Sequence, residues 1–477
     1  MSAVAEAPPT DALQDAYETL RAAQLAHPYP DARTRRAWLK SLLNLLIERR
    51  EEFARAAARD FGHRSWHESM AMEVWPVCEA LRYNIKHLHK WMKPKRRTVP
   101  LHFLPARAQT NPQPKGVVGI LAPWNYPLQL SLSPLCSALA AGCRVVVKPA
   151  EATPEVSAFL QRLVADALPD DVARVVIGGV DMAERFSTLP WDHLLFTGAP
   201  SIGKRVMAAA AANLTPVTLE LGGKSPLIVA PGQNLERVAS RIAVGKMLNS
   251  GQTCIAVDTV LCPRSEREAL LEEVHRQVAR LYPTMLDNPD YTSLIHDRAR
   301  ARLDHALEDA REKGATLSEV NPAGEDFTGS LKRPLTIVTD CPADAIVATD
   351  ELFGPILLVV DYADFDEAIT WVVERPRPLT LYLFDNDLDR VHRVSRSTHS
   401  GTFNHNEVFV HAGIVEIPFG GIGNSGMGAY YGEAGFDTFT HHKGELYQSR
   451  ITGFDLFFPP FDKIANVLIP RLIGTPD

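Results

Sequence analysis

The sequence predicts an α/β protein with a doubly wound parallel sheet. Short runs rich in β-branched residues alternate with helix-like segments over residues 116–223, the pattern of parallel strands joined by crossover helices. These runs are apolar without alternation, as expected for strands buried on both faces. A second α/β segment follows residue 220. At 477 residues the chain is too long for one hydrophobic core, which agrees with two or three domains.

The region before this sheet is predicted to be helical. Apolar residues recur every three or four positions from residue 31 onwards, and Asp31 has the side chain of a helix N-cap. A second long helix is predicted over residues 68–92. Residues 97–116 lose this spacing and contain several prolines, so we predict an extended arm or hairpin outside the core.

The predicted elements of the two α/β segments follow in chain order. The strands of the first segment are GVVGILAP, RVVVKP, ARVVIGG, HLLFTG and VTLELGG. The helices between them are residues 128–141, 154–168, 181–188 and 201–212. The second segment has the strands PLIVA, TVLC, PLTIVT, ILLVV and LTLYLF and a helix over residues 265–282. A turn-rich block, residues 417–432, and an apolar tail, residues 453–474, come after them.

The composition excludes several classes of protein. The formal net charge of −7 argues against nucleic acid as a partner. The six cysteines are scattered without a CxxC motif, which predicts neither a zinc site nor a disulfide framework and favours a reducing compartment. The first 20 residues contain no apolar core of a secretory signal, and no apolar run is long enough to span a membrane. We therefore expect a cytoplasmic protein with no metal.

Two polar stretches follow strands of the first segment, where open α/β sheets bind ligands. Asn125 in LAPWNYP offers amide donors that could stabilise a developing oxyanion, although a turn asparagine between two prolines is the simpler interpretation. Lys148 and Glu151 in VVVKPAE are placed to hold ribose hydroxyls and phosphates. A surface charge pair explains them equally well when they are taken alone.

Two further stretches follow the next strands. Gly198 and Gly203 open a helix in FTGAPSIGK, as a phosphate-binding turn would, but they match neither G-x-G-x-x-G nor the P-loop. Glu220 ends an apolar strand in TLELGGKSP. A carboxylate in that place must be paired, exposed or catalytically tuned, and beside a thiol nucleophile it could activate water.

Cys254, in NSGQTCIA, would by itself be interpreted as a small buried hydrophobic residue. Together with the four stretches it describes one reaction, the oxidation of an aldehyde through a covalent thioester. The cysteine adds to the carbonyl group, amide donors hold the oxyanion, hydride leaves to a nicotinamide, and a carboxylate activates the water that cleaves the thioester.

Seven motifs in order make the sequence resemble the aldehyde dehydrogenase superfamily over most of residues 115–440. They are PWNYP, VKPAE, FTGAPSIG, LELGGKSP, NSGQTC, ELFGP and PFGGIGNSGMG. The ending GMGAYYGEAGFDTFTHHK is similar to that of the class 3 branch, which includes the bacterial coniferyl aldehyde dehydrogenases and acts on aromatic and medium- or long-chain aldehydes.

The resemblance implies a role for each matching residue. Cys254 is the nucleophile, Glu220 the general base and Asn125 the oxyanion donor, together with the backbone N–H of Cys254. The cofactor residues are Lys148 and Glu151 at the adenosine ribose, Gly198 and Gly203 at the pyrophosphate, Glu351 at the nicotinamide ribose, Phe353 beside the nicotinamide, and Trp124 and Leu221. The other five cysteines keep the structural interpretation.

The resemblance also implies an architecture. We expect a Rossmann-like NAD(P)-binding domain of residues 1–93 and 114–220, a second α/β catalytic domain of residues 221–425, and a small β bridging or oligomerisation element of residues 94–113 and 437–450. Residues 451–477 form a C-terminal extension. A bridging element that covers a neighbour's sheet edge implies a homodimer.

Some positions depart from the family pattern. Ala199 stands where many relatives have a serine near the phosphates, and Val257 stands where close class 3 relatives often have proline. Glu151 opposes a 2′-phosphate by its charge, so NAD is preferred to NADP, which could also be accepted.

Three alternative functions differ from this one in the residues that they need. An acylating enzyme that uses coenzyme A generally lacks a carboxylate at the Glu220 position. A non-catalytic scaffold on the same fold is expected to have lost at least one of Cys254, Glu220 and Asn125. A thiol hydrolase needs a histidine, and none lies near these motifs in the sequence.

The substrate pocket and the tail are the least determined features. Tyr126, Met247, Ile255 and Phe409 are expected to line the pocket, which would favour an apolar or aromatic aldehyde. The tail is expected to dock over a partner subunit or over the mouth of the pocket. A helix that lies on a membrane surface is the alternative, although a membrane partner is not expected.

Overall fold

Two mainly parallel sheets and one small antiparallel sheet organise residues 11–461 and 463–474, which a computed structural model describes. The prediction that the first 20 residues contain no secretory signal falls partly on residues 1–10, which lie outside these ranges.

The helices and strands alternate along most of the chain. The helices are α1 Asp11–Ala26, α2 Ala32–Asp60, α3 Trp66–Ser69, α4 Trp75–Trp91, α5 Gln129–Ala141, α6 Pro154–Ala167, α7 Val180–Thr188, α8 Pro200–Ala211, α9 Leu235–Met247, α10 Arg267–Leu281, α11 Asp297–Glu312, α12 Ile346–Thr349, α13 Phe365–Val373, α14 Leu388–Ser397, α15 Gly432–Thr438 and α16 Lys463–Ile473. The strands are β1 Lys95–Arg97, β2 Arg107–Pro114, β3 Val117–Leu121, β4 Arg144–Lys148, β5 Ala173–Val175, β6 His193–Gly198, β7 Val217–Leu221, β8 Pro226–Val229, β9 Thr259–Pro263, β10 Thr316–Val320, β11 Leu335–Thr339, β12 Ile356–Tyr362, β13 Thr380–Phe384, β14 Thr402–His405, β15 Gly426–Met427 and β16 Thr440–Tyr447.

The first sheet has the strand order β15-β7-β6-β3-β4-β5. Strands β3 to β7 are parallel, and β15 pairs with β7 in the antiparallel sense. The core residues of α1, α7 and α8 cover one face of this sheet, whereas α2 and α4 to α6 pack in the large core on the other face. This arrangement confirms the predicted doubly wound α/β fold. Leu221 still pairs with Gly198, so the predicted domain boundary after residue 220 falls one residue inside β7.

The second sheet has the order β10-β11-β12-β9-β8-β13-β14, and only β10 runs antiparallel to its neighbour. Residues 260–263 and 356–360 are continuously apolar because their strands are covered by helices on both faces. The carboxyl end of β7 leads directly into β8 through residues 222–225, so the two sheets meet at Glu220.

The predicted arm is part of a third, three-stranded sheet. β2 pairs with β1 and with β16, in a register that runs from Thr440 opposite Pro114 to Tyr447 opposite Arg107. Most of these residues are exposed or half-buried, as predicted for a segment outside the core.

Three local features differ from the sequence predictions or add to them. Helix α1 was not predicted, although its buried Leu13, Ala16 and Leu20 have helical spacing. The predicted helix over residues 68–92 contains a π-helical turn, Met70–Val74, between α3 and α4. In the tail, the ring of Phe454 lies 5.6 Å from the ring of Phe103.

No helix in the described part of the chain is long and apolar enough to cross a membrane.

Candidate active site

Cys254 lies in a loop of residues 248–256, the cysteine loop, whose backbone is tightly constrained. Asn249, Ser250 and Gly251 all adopt the left-handed conformation, with φ of 51°, 52° and 70°. A β-carbon at Gly251 would lie 2.4 Å from the carbonyl oxygen of Gly354, so only glycine permits this approach. Backbone strain of this kind persists where surrounding contacts enforce it, and it is concentrated at functional sites.

The side chain of Gln252 anchors the cysteine loop. Its amide nitrogen donates to the carbonyl oxygens of Asn249 and Ser293, each at 3.0 Å, and its oxygen accepts the N–H of Ile295 at 2.9 Å. The hydroxyl of Tyr382 donates to the carbonyl of Ile255 at 2.7 Å. Gln252 stands in the motif NSGQTC, but sequence reasoning gave it no role.

Asn125 lies in the turn of residues 122–128 between β3 and α5, the asparagine turn, and is buried. Its side-chain amide donates to the carbonyl of Gln252 at 3.2 Å, and the amide of Asn249 donates back to the carbonyl of Asn125 at 3.1 Å. The structure therefore joins the predicted oxyanion donor to the loop that holds Cys254.

Glu220 is buried at the end of β7, directly opposite Gly426 of β15. Both of its carboxylate oxygens are buried and have no hydrogen-bond partner among the residues that the structure describes. Burial raises the pKa of Glu220 well above its ordinary value. Burying a carboxyl group costs desolvation free energy, which a hydrogen bond or an ion pair normally offsets. A buried carboxyl group without such a partner is a strong candidate for a functional proton acceptor.

The Cys254 thiol interacts electrostatically with the carboxyl groups of two predicted site residues, Glu220 and Glu351. Burial, and then the charges of Glu351 and Glu220, raise the pKa of the Cys254 thiol to about 12. The thiol is therefore protonated near neutral pH in this state, and a base must take up its proton before it can act as a nucleophile.

An apolar cavity with a volume of about 340 Å³, which we call the tunnel, has Cys254 in its lining. Its lining includes Ala71, Met72, Trp75, Pro76, Tyr126, Leu130, Ile255, Phe409, Ile414, Phe419, Tyr430 and Tyr431. Three of the four residues expected in the pocket are among them. Met247 is not, and that expectation is wrong: it lies at the end of α9 with its side chain fully buried in the core.

On the other side of Cys254, the predicted cofactor residues lie at the carboxyl ends of the first sheet. Lys148 ends β4, is buried, and lies 3.4 Å from the exposed Glu151. Gly198 ends β6, and Gly203 lies in the first turn of α8, where a β-carbon would come within 2.7 Å of Leu221. The hydroxyl of Thr197 is buried beside them without a partner.

Glu351 and Phe353 lie in a turn that other side chains hold in place. Arg302 donates to the carbonyls of Glu351, Leu352 and Phe353. Burial raises the pKa of Glu351 to about 8. A β-carbon at Gly222 would lie 2.0 Å from the Glu351 carboxylate, so the glycine after β7 makes room for it.

Trp124 meets this turn from the opposite side. Its ring contacts the ring of Phe353 edge-on, with the centroids 5.5 Å apart. The cofactor residues predicted from separate motifs thus line one region that runs from Lys148 to Phe353. The buried hydroxyl of Thr197, which has no hydrogen-bond partner among the described residues, and the positive N-terminal end of α8 fit a dinucleotide with an anionic pyrophosphate.

The structure shows the local surroundings of Ala199 and Val257, the two residues that depart from the family pattern. Ala199 is the N-cap of α8 and has no side chain that could cap it. Val257 donates its backbone N–H to the carbonyl of Gly245 at 3.0 Å, a bond that proline could not make.

The sequence comparison decides the family. Residues 2–444 match the aldehyde dehydrogenase family. The chain belongs to the aldehyde dehydrogenase family. This aldehyde dehydrogenase is therefore an oxidoreductase that oxidises an aldehyde with a nicotinamide cofactor, which confirms the predicted reaction class and does not favour the scaffold.

Individual relatives of this aldehyde dehydrogenase extend over the whole chain. A probable coniferyl aldehyde dehydrogenase of Pseudomonas aeruginosa is 46% identical over 460 residues, 96% of each chain. A coniferyl aldehyde dehydrogenase of a Pseudomonas species is 39% identical and covers 97% of this chain and 96% of its own. The substrate-bound structure of Staphylococcus aureus AldH superposes with a TM-score of 0.91 at 32% identity, over 97% of this chain and 99% of that one.

Proposed function

We propose that this enzyme oxidises an aromatic aldehyde to the carboxylic acid, with Cys254 as nucleophile, Asn125 as oxyanion donor and Glu220 as general base. The observation that carries this proposal is the buried, unpaired carboxylate of Glu220 within electrostatic range of Cys254. No hydrogen bond within the described part of the chain offsets the free-energy cost of burying that carboxylate, whereas binding the water that attacks the thioester would.

The residues act in two stages. The Cys254 thiol loses its proton to a base and its sulfur bonds to the carbonyl carbon, while the Asn125 amide and the Cys254 backbone N–H hold the negative oxygen. A nicotinamide cofactor held near Glu351 and Phe353 would supply the hydride acceptor, and loss of the hydride from the adduct leaves a thioester on Cys254. Glu220 then takes a proton from water, whose oxygen attacks the thioester, and the acid is released with the thiol restored.

A spectrophotometric assay tests the reaction directly. Reduced nicotinamide is followed at 340 nm with a panel of aromatic and aliphatic aldehydes. We expect turnover with the native enzyme and none with Cys254→Ala. The Cys341→Ala variant is the matched control, because Cys341 lies outside the tunnel and should keep full activity. Turnover that survives in Cys254→Ala would overturn the assignment of the nucleophile.

The tunnel supports an aromatic, coniferyl-like substrate. Aromatic and aliphatic side chains form its walls, and the rings of Phe419 and Tyr431 in its lining stack with centroids 5.2 Å apart. A planar ring gains dispersion and edge-to-face contacts in such a channel. Two of the similar proteins described above are coniferyl aldehyde dehydrogenases, one of them a probable assignment. A medium- or long-chain aliphatic aldehyde is the second candidate for the same apolar tunnel.

Water is the proposed acceptor of the acyl group. The charge of Glu220 acts on Cys254, and neither of its oxygens has a hydrogen-bond partner in the described part of the chain, so both can bind water. An acylating enzyme that uses coenzyme A would not need this base. NAD is the proposed cofactor in preference to NADP, because the exposed carboxylate of Glu151 would repel a 2′-phosphate.

The assembly and the compartment are also proposals. The exposed three-stranded sheet and the free edge of β14 support a homodimer in which one covers the other. Residues 1–93 and 114–220 would form the cofactor domain, 221–425 the catalytic domain, and 94–113 with 437–450 the bridging element. All six cysteines are free thiols, which supports the cytoplasm. The exposed apolar face of α16 supports a tail that docks on a partner subunit.

A further inference from the structure

A short segment of residues 64–73 contacts both loops of the active site. It contains a fully buried ion pair: the side chains of Arg64 and Glu73 are 0% exposed and lie 2.9 Å apart. Burying two opposite charges costs desolvation free energy, and well-packed apolar residues often stabilise a core at least as well. Stability alone therefore does not explain the pair, and the groups that it binds indicate its role.

Both members of the pair hydrogen-bond to the asparagine turn. The Arg64 guanidinium donates to the carbonyl of Asn125 at 2.9 Å. One carboxylate oxygen of Glu73 accepts the N–H groups of Leu128 at 2.8 Å and Gln129 at 3.2 Å, where the turn becomes α5. In the described part of the chain, all the hydrogen bonds of these two side chains go to this turn and to Gln129, the first residue of α5.

The same segment also holds the cysteine loop. The buried carboxylate of Glu68 accepts the N–H of Asn249 at 3.1 Å and the hydroxyl of Thr292 at 2.6 Å. The N–H of Ser65 donates to that Thr292 hydroxyl at 3.1 Å. Glu68 and Glu73 thus connect one segment to the two loops that must face each other.

The π-helical turn explains how both glutamates reach inward. Residues five positions apart lie about 140° apart around an α-helix, which would turn one of the two carboxylates away. The π-helical turn Met70–Val74 contains Glu73 but not Glu68, and its wider i→i+5 winding reduces the angle between the two side chains. Such turns are frequent at functional sites.

We propose that Arg64, paired with Glu73, is a positioning residue for catalysis: by binding the carbonyl of Asn125 it aims the Asn125 amide at the carbonyl oxygen of the substrate. This inference rests on the proposed role of Asn125. The guanidinium has no path to the substrate of its own, because it lies beneath the turn, over the rings of Phe61 and Tyr126. Its effect must pass through the turn.

A double-mutant cycle tests this coupling. The variant Arg64→Met with Glu73→Leu removes both charges together, and Glu73→Gln is a milder second variant that keeps the shape. The rate of NADH formation in a single turnover with benzaldehyde is measured in the native and the Asn125→Ala backgrounds. Misplacing an oxyanion donor should slow this step by about tenfold or more in the native background. In the Asn125→Ala background the same change should slow it by less than about twofold.

Two further measurements separate positioning from general disorder. Alkylation of Cys254 by iodoacetamide needs no oxyanion donor, so its rate should stay within about twofold of the native rate in the Arg64 and Glu73 variants. Arg144→Met is the matched control, because Arg144 is also buried but lies at the opposite end of the sheet, at the start of β4. It should keep the native rate of NADH formation.

The outcomes are distinguishable. If Asn125→Ala loses activity but the Arg64 and Glu73 variants slow both backgrounds equally, or slow alkylation as much as turnover, the positioning role is overturned and the proposed function stands. If Asn125→Ala keeps full activity, the oxyanion assignment fails, and the positioning role fails with it.

Discussion

Glu220 of β7 lies directly opposite Gly426 of β15, the strand at the edge of the first sheet. A β-carbon at Gly426 would lie 1.9 Å from the carbonyl of Leu219, so glycine is required for the close approach. The N–H of Leu221 donates to the carbonyl of Ser425 at 2.9 Å. The block after residue 417 therefore buries the Glu220 carboxyl without giving it a bond.

The first prediction concerns Glu220. Glu220→Gln should retain a rapid first turnover of NADH, because Cys254 and Asn125 are untouched, and should lower steady-state turnover by about 10²-fold, because water attacks the thioester without a base. Stopped-flow absorbance at 340 nm resolves the two phases. Glu416→Gln, which changes a carboxylate bound to Tyr83, is the control. Full steady-state turnover in Glu220→Gln would remove the base assignment.

The second prediction concerns the pH dependence of Cys254. Since burial and two carboxyl groups raise the pKa of this thiol to about 12, alkylation of the free enzyme should rise with pH and reach no plateau below pH 10. Mass spectrometry of the Cys254 peptide follows the modification separately from the other five thiols. A plateau near pH 7 would show a thiolate that is already activated in the free enzyme.

Glu351→Gln extends this prediction with a defined sign. The pKa of Glu351 is about 8, so its carboxylate is charged above that pH and opposes ionisation of Cys254. The variant should be alkylated faster than the native enzyme at pH 9 and at the native rate at pH 6, where the carboxyl group is neutral in both. The exposed Glu308→Gln should match the native enzyme at both values.

The third prediction concerns the tunnel mouth. Trp75 lines the tunnel but is still 59% exposed, so Trp75→Ala should leave the fold intact. Loss of an aromatic contact should raise KM for cinnamaldehyde-type substrates by about three- to tenfold and change KM for propanal little. Trp66→Ala is matched in size and exposure and does not line the tunnel. Equal effects on both aldehydes would place the ring outside this tunnel.

The fourth prediction concerns the choice of cofactor. Replacing the exposed carboxylate in Glu151→Gln removes a charge that opposes a 2′-phosphate, so kcat/KM for NADP should rise by about three- to tenfold relative to that for NAD. Glu155→Gln, four residues further on, changes a carboxylate that pairs with Arg59 and should leave the ratio unchanged. An unchanged ratio in Glu151→Gln would exclude a role in discrimination.

Much of the fold could be predicted because its signals are local. Continuous apolar runs such as residues 145–147 are recognisable as buried parallel strands, and the strand that contains this run, residues 144–148, ends within one residue of its predicted bounds. Helix α1 was missed although its buried residues are spaced three and four positions apart. Met247 was misplaced because a helical residue reveals its spacing but not which neighbour its face will meet.

The positioning residues could not be predicted in this way. Arg64, Glu68 and Glu73 are charged residues at the start of a helical stretch, a pattern typical of a solvent-exposed face. Only the π-helical turn and the packing of residues 291–295 make that face an interior one. Gln252 was visible as part of a motif, but its three hydrogen bonds reach residues in two separate loops.

The sequence by itself determined the order of the strands and helices, the types of reactive side chain and the reaction class, because these depend on residues that are close together along the chain. Only the tertiary structure decided which side chains meet and how they titrate. Cys254, Glu220 and Glu351 are separated by 34 and 97 residues, and their mutual charges and loss of water arise only when the two sheets pack together. Burial is a property of that packing, so the pKa values, the tunnel and the ion pair under Asn125 follow from it.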